Sequence, residues 1–176
     1  MKQDVDIVML FQENLNKMDD IYYMQEAFKE AKMAYELNEV PVGCVIVRKE
    51  EIIARAHNMR HNLKCSLYHA EILAIEEACK KLDRWILDDC VMYVTLEPCL
   101  MCSGAIIQSR IKTLVYGLSE ERFGCVENTF EYFRDKQNHN VNVRKGILKE
   151  EVEALMKDFF KKMRESKKNS NGGSNV

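Results

Sequence analysis

The chain has 176 residues and a formal net charge of −2 at pH 7, with 47% apolar and 31% charged residues. That is the composition of one ordinary globular domain with a hydrophobic core, and it excludes nucleic-acid binding through global charge, so any such contact must rest on local patches. The longest apolar runs, such as 91–96, are too short to cross a bilayer, and the opening MKQDVDIVMLFQ mixes acids into its apolar residues without a small-residue cleavage site. No membrane span or signal peptide is expected, and the default location is cytoplasmic.

Residues 1–17 read as an N-terminal extension of unassigned role, because Met18 is followed by Asp19 and Asp20 at a plausible helix start. From Ile21 to Leu37, Met24, Ala27, Phe28, Ala31, Ala34 and Tyr35 recur at helical spacing, which predicts an amphipathic helix. Pro41 stops it. Val42 to Val47 is a short β-branched run with the signature of a buried strand, and Glu51 to Ala56 reads as its hairpin partner. Ala70 to Leu82 returns to helical spacing, Val91 to Leu96 is a strand, and Cys102 to Ser109 is a further helix. Thr113 to Gly117 is then a strand parallel to the one before, because a helix joins them. Val141 to Ile147 adds an edge strand, and Lys149 to Glu165 closes the domain with an amphipathic helix. The alternation predicts a three-layer α/β fold with helices on both faces of a mixed sheet, occupying 18–165. Residues 166–176 are the expected disordered tail, Asn/Gly/Ser-rich from Asn169 onward.

Seven cysteines is an odd number, and Cys44, Cys65, Cys79, Cys90 and Cys125 are scattered without regular spacing, which argues for a reducing compartment rather than a disulfide framework. Cys44, Cys79 and Cys90 read as core. Cys99 and Cys102 form a Cys-x-x-Cys pair inside Pro98-Cys99-Leu100-Met101-Cys102, thirty residues after His69-Ala70-Glu71. Each motif stands at the start of a predicted helix, where the helix dipole favours thiolates and an anion-bearing metal. One imidazole and two thiolates make three zinc ligands and leave a fourth position for water, the mark of a catalytic site. Glu71 is poorly placed to share the metal and well placed to move a proton. His-x-Glu followed by Pro-Cys-x-x-Cys matches the known signature of zinc nucleobase deaminases, whose chemistry is metal activation of water and loss of ammonia.

Bland readings compete at several places. Cys65, His69, Cys99 and Cys102 would also complete a closed structural zinc tetrahedron, leaving Glu71 on a helix surface. His57, His61 and His139 are expected to face solvent or to be hydrogen-bonded. Met92, Met101 and Phe159-Phe160 are expected in the core or an interface. The basic cluster of Lys157, Lys161, Lys162, Arg164, Lys167 and Lys168 is either a solvated helix face or an RNA contact.

Longer blocks surround these motifs: Glu39-Val40-Pro41-Val42-Gly43, Tyr68-His69-Ala70-Glu71-Ile72, and Leu96-Glu97-Pro98-Cys99-Leu100-Met101-Cys102-Ser103-Gly104-Ala105-Ile106-Ile107. With Ser109-Arg110-Ile111, Tyr116-Gly117 and Asp158-Phe159-Phe160, they resemble the tRNA-specific adenosine deaminases of the cytidine/deoxycytidylate deaminase superfamily, from about Met18 to Arg164. The resemblance implies a five-stranded mixed sheet between helices and a homodimer with one zinc ion per subunit. It also implies deamination of the wobble adenosine to inosine in a tRNA anticodon stem-loop, with no membrane or DNA partner.

Carried over by residue, it implies His69, Cys99 and Cys102 as zinc ligands and Glu71 as proton shuttle. Asn58 would contact the base, and Val42 and the backbone amide of Ala70 would line the pocket. Three features depart from the family pattern. Cys65-Ser66-Leu67-Tyr68 replaces the usual run before His-Ala-Glu, and Tyr68 is bulkier than the usual alanine. In Ser119-Glu120-Glu121-Arg122, Glu120 stands in for an aspartate that touches the RNA backbone, and two adjacent acids there oppose phosphate unless Arg122 offsets them. A deaminase of a free base or nucleoside, such as guanine or cytosine, shares the zinc motif and remains the alternative enzyme reading.

Overall fold

The computed structural model describes residues 2–126 and 139–171, with side chains at 18–126 and 139–169. Its helices are α1 (Lys2–Glu36), α2 (Ala70–Leu82), α3 (Leu100–Gln108) and α4 (Lys149–Asn171). Its strands are β1 (Gly43–Arg48), β2 (Glu51–His57), β3 (Cys90–Leu96), β4 (Thr113–Leu118) and β5 (Asn142–Lys145). They form one sheet in the order β2-β1-β3-β4-β5. β1 pairs antiparallel with β2 and β3, whereas β3–β4 and β4–β5 are parallel, so the sheet is mixed. The five-stranded mixed sheet and the parallel β3–β4 pair both agree with the sequence expectation.

Strand alternation sorts the core into two layers. Cys44 and Ile46 of β1, Met92 and Val94 of β3, and Leu114 and Tyr116 of β4 pack with Ala70, Ala74 and Ala78 of α2 and Ile106 of α3. The intervening Val45, Val47, Tyr93 and Val115 pack on the other face against Tyr23, Met24 and Ala27 of α1. α1 lies so close to β1 that a Cβ at Gly43 would overlap the Ala27 carbonyl oxygen and the Ala31 nitrogen. Glycine is therefore the residue that fits there. The β1–β2 hairpin turns through Lys49 and Glu50, whose φ angles of 49° and 65° are the left-handed pair of a two-residue turn.

Two boundaries differ from expectation. α1 begins at Lys2 rather than near Ile21, because residues 2–36 contain no glycine or proline to break it. Asp20 does not cap a helix start. It is buried, and it accepts hydrogen bonds from Tyr93 Oη (2.9 Å) and from Arg144 Nε and Nη2 (2.7 Å each), tying α1 to β3 and β5. α4 continues past Glu165 to Asn171, and residues 172–176 of the expected tail lie outside the described residues. Among the described residues, no helix is long and apolar enough to cross a membrane.

Candidate active site

His69 and Cys99 are the residues immediately before α2 and α3, both with extended backbone (φ −77°, ψ 151° and φ −74°, ψ 173°). Neither side chain caps its own helix, because both point at a common centre. Asn58, just after β2, supplies the missing acceptor: its Oδ1 takes the Ala70 N–H at 2.9 Å. Cys102 lies one turn into α3, so the two thiols meet on the same side.

The three ligand atoms form a small triangle. Cys99 Sγ is 3.7 Å from Cys102 Sγ and 3.7 Å from His69 Nδ1, and Cys102 Sγ is 3.5 Å from the same nitrogen. Ideal tetrahedral zinc, with bonds of about 2.3 Å to sulfur and about 2.05 Å to nitrogen, places sulfurs about 3.8 Å apart and sulfur about 3.6 Å from nitrogen. The donor set and its spacing therefore fit zinc with one position left for a further ligand. Cys65 is not in the group: among the described residues the only metal-competent cluster is His69, Cys99 and Cys102. The closed four-ligand structural site is thus not formed.

The electrostatics of the triangle are those of a shared proton. The Cys99 thiol is brought down to about 4, first by the Cys102 thiol donating to it and then by His69, against the opposing effect of burial. Cys102 moves far up as the donor of that bond and by burial, and the Cys99 bond raises His69. Glu71, in the first turn of α2, is 4% exposed. Burial raises its carboxyl pKa above the ordinary glutamate value.

These residues open onto a cleft of about 1040 Å³. Val42, Asn58, His69, Glu71, Cys99 and Glu120 all line it. Ala70 does not: it is fully buried and its N–H is taken by Asn58, so the amide expected to line the pocket instead orders the residue beside it. Asn58 is 5% exposed, and with Oδ1 committed, its Nδ2 is the group that can serve a ligand. Glu120 Oε1 accepts the Arg122 N–H at 2.9 Å within its own loop.

One face of α4 forms a wall, through Glu153, Met156, Lys157, Phe160 and Arg164. Phe159 is core as expected, but Phe160 is 42% exposed and lines the cleft, because consecutive helical residues point about 100° apart. The basic cluster divides in the same way. Lys157 and Arg164 line the cleft, whereas Lys162 bonds to Tyr35 and Asp158 on another face. Met92 is fully buried and Met101 half-buried. His57 Nδ1 meets Glu30 Oε2 at 2.8 Å and His139 Nε2 meets the Ile111 carbonyl at 2.7 Å, so both are hydrogen-bonded away from the centre.

Two buried glutamates carried no role in the sequence reading. Glu39 Oε1 accepts the backbone N–H groups of His61 (2.6 Å) and Asn62 (2.8 Å), fixing the loop between β2 and α2. Glu97 accepts the N–H of Glu120 at Oε2 (2.9 Å) and of Val126 at Oε1 (3.2 Å), fixing the loop after β4. Their partners lie over twenty residues away, so only their places within the matched blocks, Glu39-Val40-Pro41 and Glu97-Pro98, hinted at them.

A model of the MafB19-like deaminase family matches residues 18–164. The tRNA-specific adenosine deaminase of Bacillus subtilis (strain 168) is 45% identical over 150 residues, covering 85% of this chain and 93% of the relative. The enzyme of that description from Rickettsia bellii (strain RML369-C) is 47% identical over 145 residues, covering 81% and 100%. A solved structure from work on A-to-I editing by tRNA:A34 deaminases at the wobble position superposes with a TM-score of 0.74 at 37% identity, covering 76% of this chain and 98% of that one. The guanine deaminase of Nitrosomonas europaea shares the fold, with a TM-score of 0.70 at 23% identity over 79% of this chain and 83% of its own. The chain belongs to the family of the tRNA-specific adenosine deaminases.

Proposed function

We propose that this protein hydrolyses the wobble adenosine of a tRNA anticodon loop to inosine and ammonia, with one zinc ion per subunit held by His69, Cys99 and Cys102. The observation that carries the reading is the His69–Cys99–Cys102 triangle with buried Glu71 beside it, on the wall of a cleft large enough for more than a nucleoside. Zinc, when bound, supplies the Lewis acidity that makes water a nucleophile near neutral pH. Glu71 would carry one proton of the attacking water to the purine N1 and the other, from the C6 hydroxyl, to the departing amine, so that inosine keeps N1–H and ammonia leaves. Asn58 Nδ2 donates to an acceptor on the base edge, and Val42 packs against the ring.

Polynucleotide specificity follows from the cleft's outer part. Arg60, Arg122 and Arg164 line it and have no ion-pair partner among the described residues, so they can meet phosphates. The acids nearby are largely committed: Glu97 and Glu120 to backbone N–H groups, Glu153 to Lys157 at 2.7 Å. An anticodon loop offers bases that are already partly unstacked, which lowers the cost of placing one in the site. Exposed Leu63, Leu67, Trp85, Ile86 and Leu100 support a homodimer as part of this reading. A reducing cytoplasm suits seven cysteines that are all free.

The test is inosine formation in a synthetic anticodon stem-loop with adenosine at the wobble position, with free adenosine and guanine as competitors. Wild-type activity that Glu71→Ala abolishes while zinc is retained supports the reading. Equal turnover of a free base overturns the RNA substrate.

A further inference from the structure

Phe123 is 69% exposed, the most exposed aromatic ring among the described side chains whose exposure is large, and it lines the same cleft as His69 and Glu71. A phenylalanine in water is unfavourable, yet the segment around it is firmly fixed. Glu97, itself 3% exposed, accepts the N–H of Glu120 on one side of the ring and of Val126 on the other. The Pro98 carbonyl accepts the Cys125 N–H at 3.0 Å, and the Glu120 carbonyl accepts the Gly124 N–H at 3.0 Å. A Cβ at Gly124 would sit 2.6 Å from Glu97 Oε2, so the loop lies directly on the carboxylate. The segment is also bridged to Cys99 through Gly124, which couples it to the metal-ligating backbone.

We infer that Phe123 is a base-stacking, specificity-determining residue for a nucleotide adjoining the reacting adenosine, held out over the cleft by Glu97 as a positioning residue. The inference rests on the single-stranded RNA reading given above. An aromatic face beside a guanidinium, in a cleft with further arginines, is the combination that binds single-stranded nucleic acid: bases stack and phosphates pair. Arg122 adjoins Phe123 in sequence, and Phe160 with Arg164 presents a second aromatic–basic pair on α4. Glu97 ties the ring's loop to the segment that carries Cys99, so the stacked base is registered to the reaction centre.

The experiment uses the zinc-loaded full chain and a fluorophore-labelled anticodon stem-loop, read by anisotropy and by steady-state inosine formation. Phe123→Ala is expected to raise both Kd and KM between about 5-fold and about 150-fold, with kcat, zinc content and oligomeric state unchanged. Phe123→Trp is expected to restore wild-type affinity. Glu97→Gln, which sets an amide donor against a backbone N–H, is expected to raise KM in the same direction and to speed hydrogen exchange at Glu120 and Val126. A Phe123→Ala enzyme with unchanged Kd and KM, or with kcat lowered at constant KM, overturns the inference. So does a change of oligomeric state, which would make the ring an interface residue. A wild-type enzyme that neither binds nor deaminates the stem-loop overturns the RNA reading itself, and is distinct from an active wild type that Phe123→Ala matches.

Discussion

His69 and Cys99 hold equivalent positions, each the last extended residue before a helix, and their Nδ1 and Sγ atoms lie 3.7 Å apart. Two helices thus direct their positive ends at one centre, where anionic ligands are favoured. Cys65, four residues before His69, is outside that centre. Cys65→Ser is therefore expected to leave zinc stoichiometry at one per chain, while Cys102→Ser lowers it sharply. Metal analysis after dialysis against a mild chelator reads both. Loss of zinc in Cys65→Ser would restore the closed structural site as a serious reading.

A zinc ion bound only by the folded chain would stabilise it by mass action, and chelation would reverse this. A chelated wild type is expected to melt at a lower temperature and to recover on adding zinc. Cys102→Ser is expected to show little further change, because it has little bound metal to lose. Scanning calorimetry with and without chelator decides it.

Asn58 serves α2 as well as the cleft. Asn58→Ala leaves the buried Ala70 N–H without its acceptor, which costs about 1–3 kcal/mol of stability. Urea denaturation of the zinc-loaded variant measures that cost, and deamination of the stem-loop is expected to fall further than the folded fraction does. Unchanged stability would remove the capping role.

The layered fold was legible because β1, β3 and β4, buried on both faces, read as short continuous apolar runs, whereas α1 and α2 show helical spacing. The His69–Cys99–Cys102 cluster was legible as a candidate metal centre because the two cysteines sit three residues apart and His69 immediately precedes a helix. Other features were not. Nothing local distinguishes Glu39 or Glu97 from a solvated acid, since their meaning comes from N–H groups brought over by folding. Asp20 resembled a helix start because its partners, Tyr93 and Arg144, are distant in sequence. Phe160 was grouped with Phe159 although one residue's rotation separates cleft from core.

Gly43 tests the packing of α1 on the sheet. An alanine there would overlap backbone atoms of Ala27 and Ala31, which cannot yield as a side-chain tip can. Gly43→Ala is expected to destabilise by about 3 kcal/mol or more, or to yield no folded protein. Gly104→Ala, where an added Cβ meets nothing within 4 Å, is the matched control and is expected to fold normally. Equal melting temperatures for the two would contradict the close approach.

Glu39 gives the fold a pH dependence with a definite sign. Burial pushes its carboxyl up, but the hydrogen bonds from Asn62 and His61 outweigh burial and hold it below the ordinary glutamate value. Its unfolded value is about 4.3, so the ionised form binds its loop more strongly than the protonated form does. The extra stability is complete above that unfolded value and disappears as pH falls through the lower folded value. Glu39→Gln keeps an acceptor but loses the charge. The variant is expected to be less stable than wild type at pH 7 by about 1–2 kcal/mol, with the gap closing as pH falls below the unfolded value of about 4.3. Urea midpoints above and below that value, compared at each pH, supply the measurement. A gap that stays constant with pH would mean that the carboxylate charge at Glu39 contributes nothing to holding the β2–α2 loop.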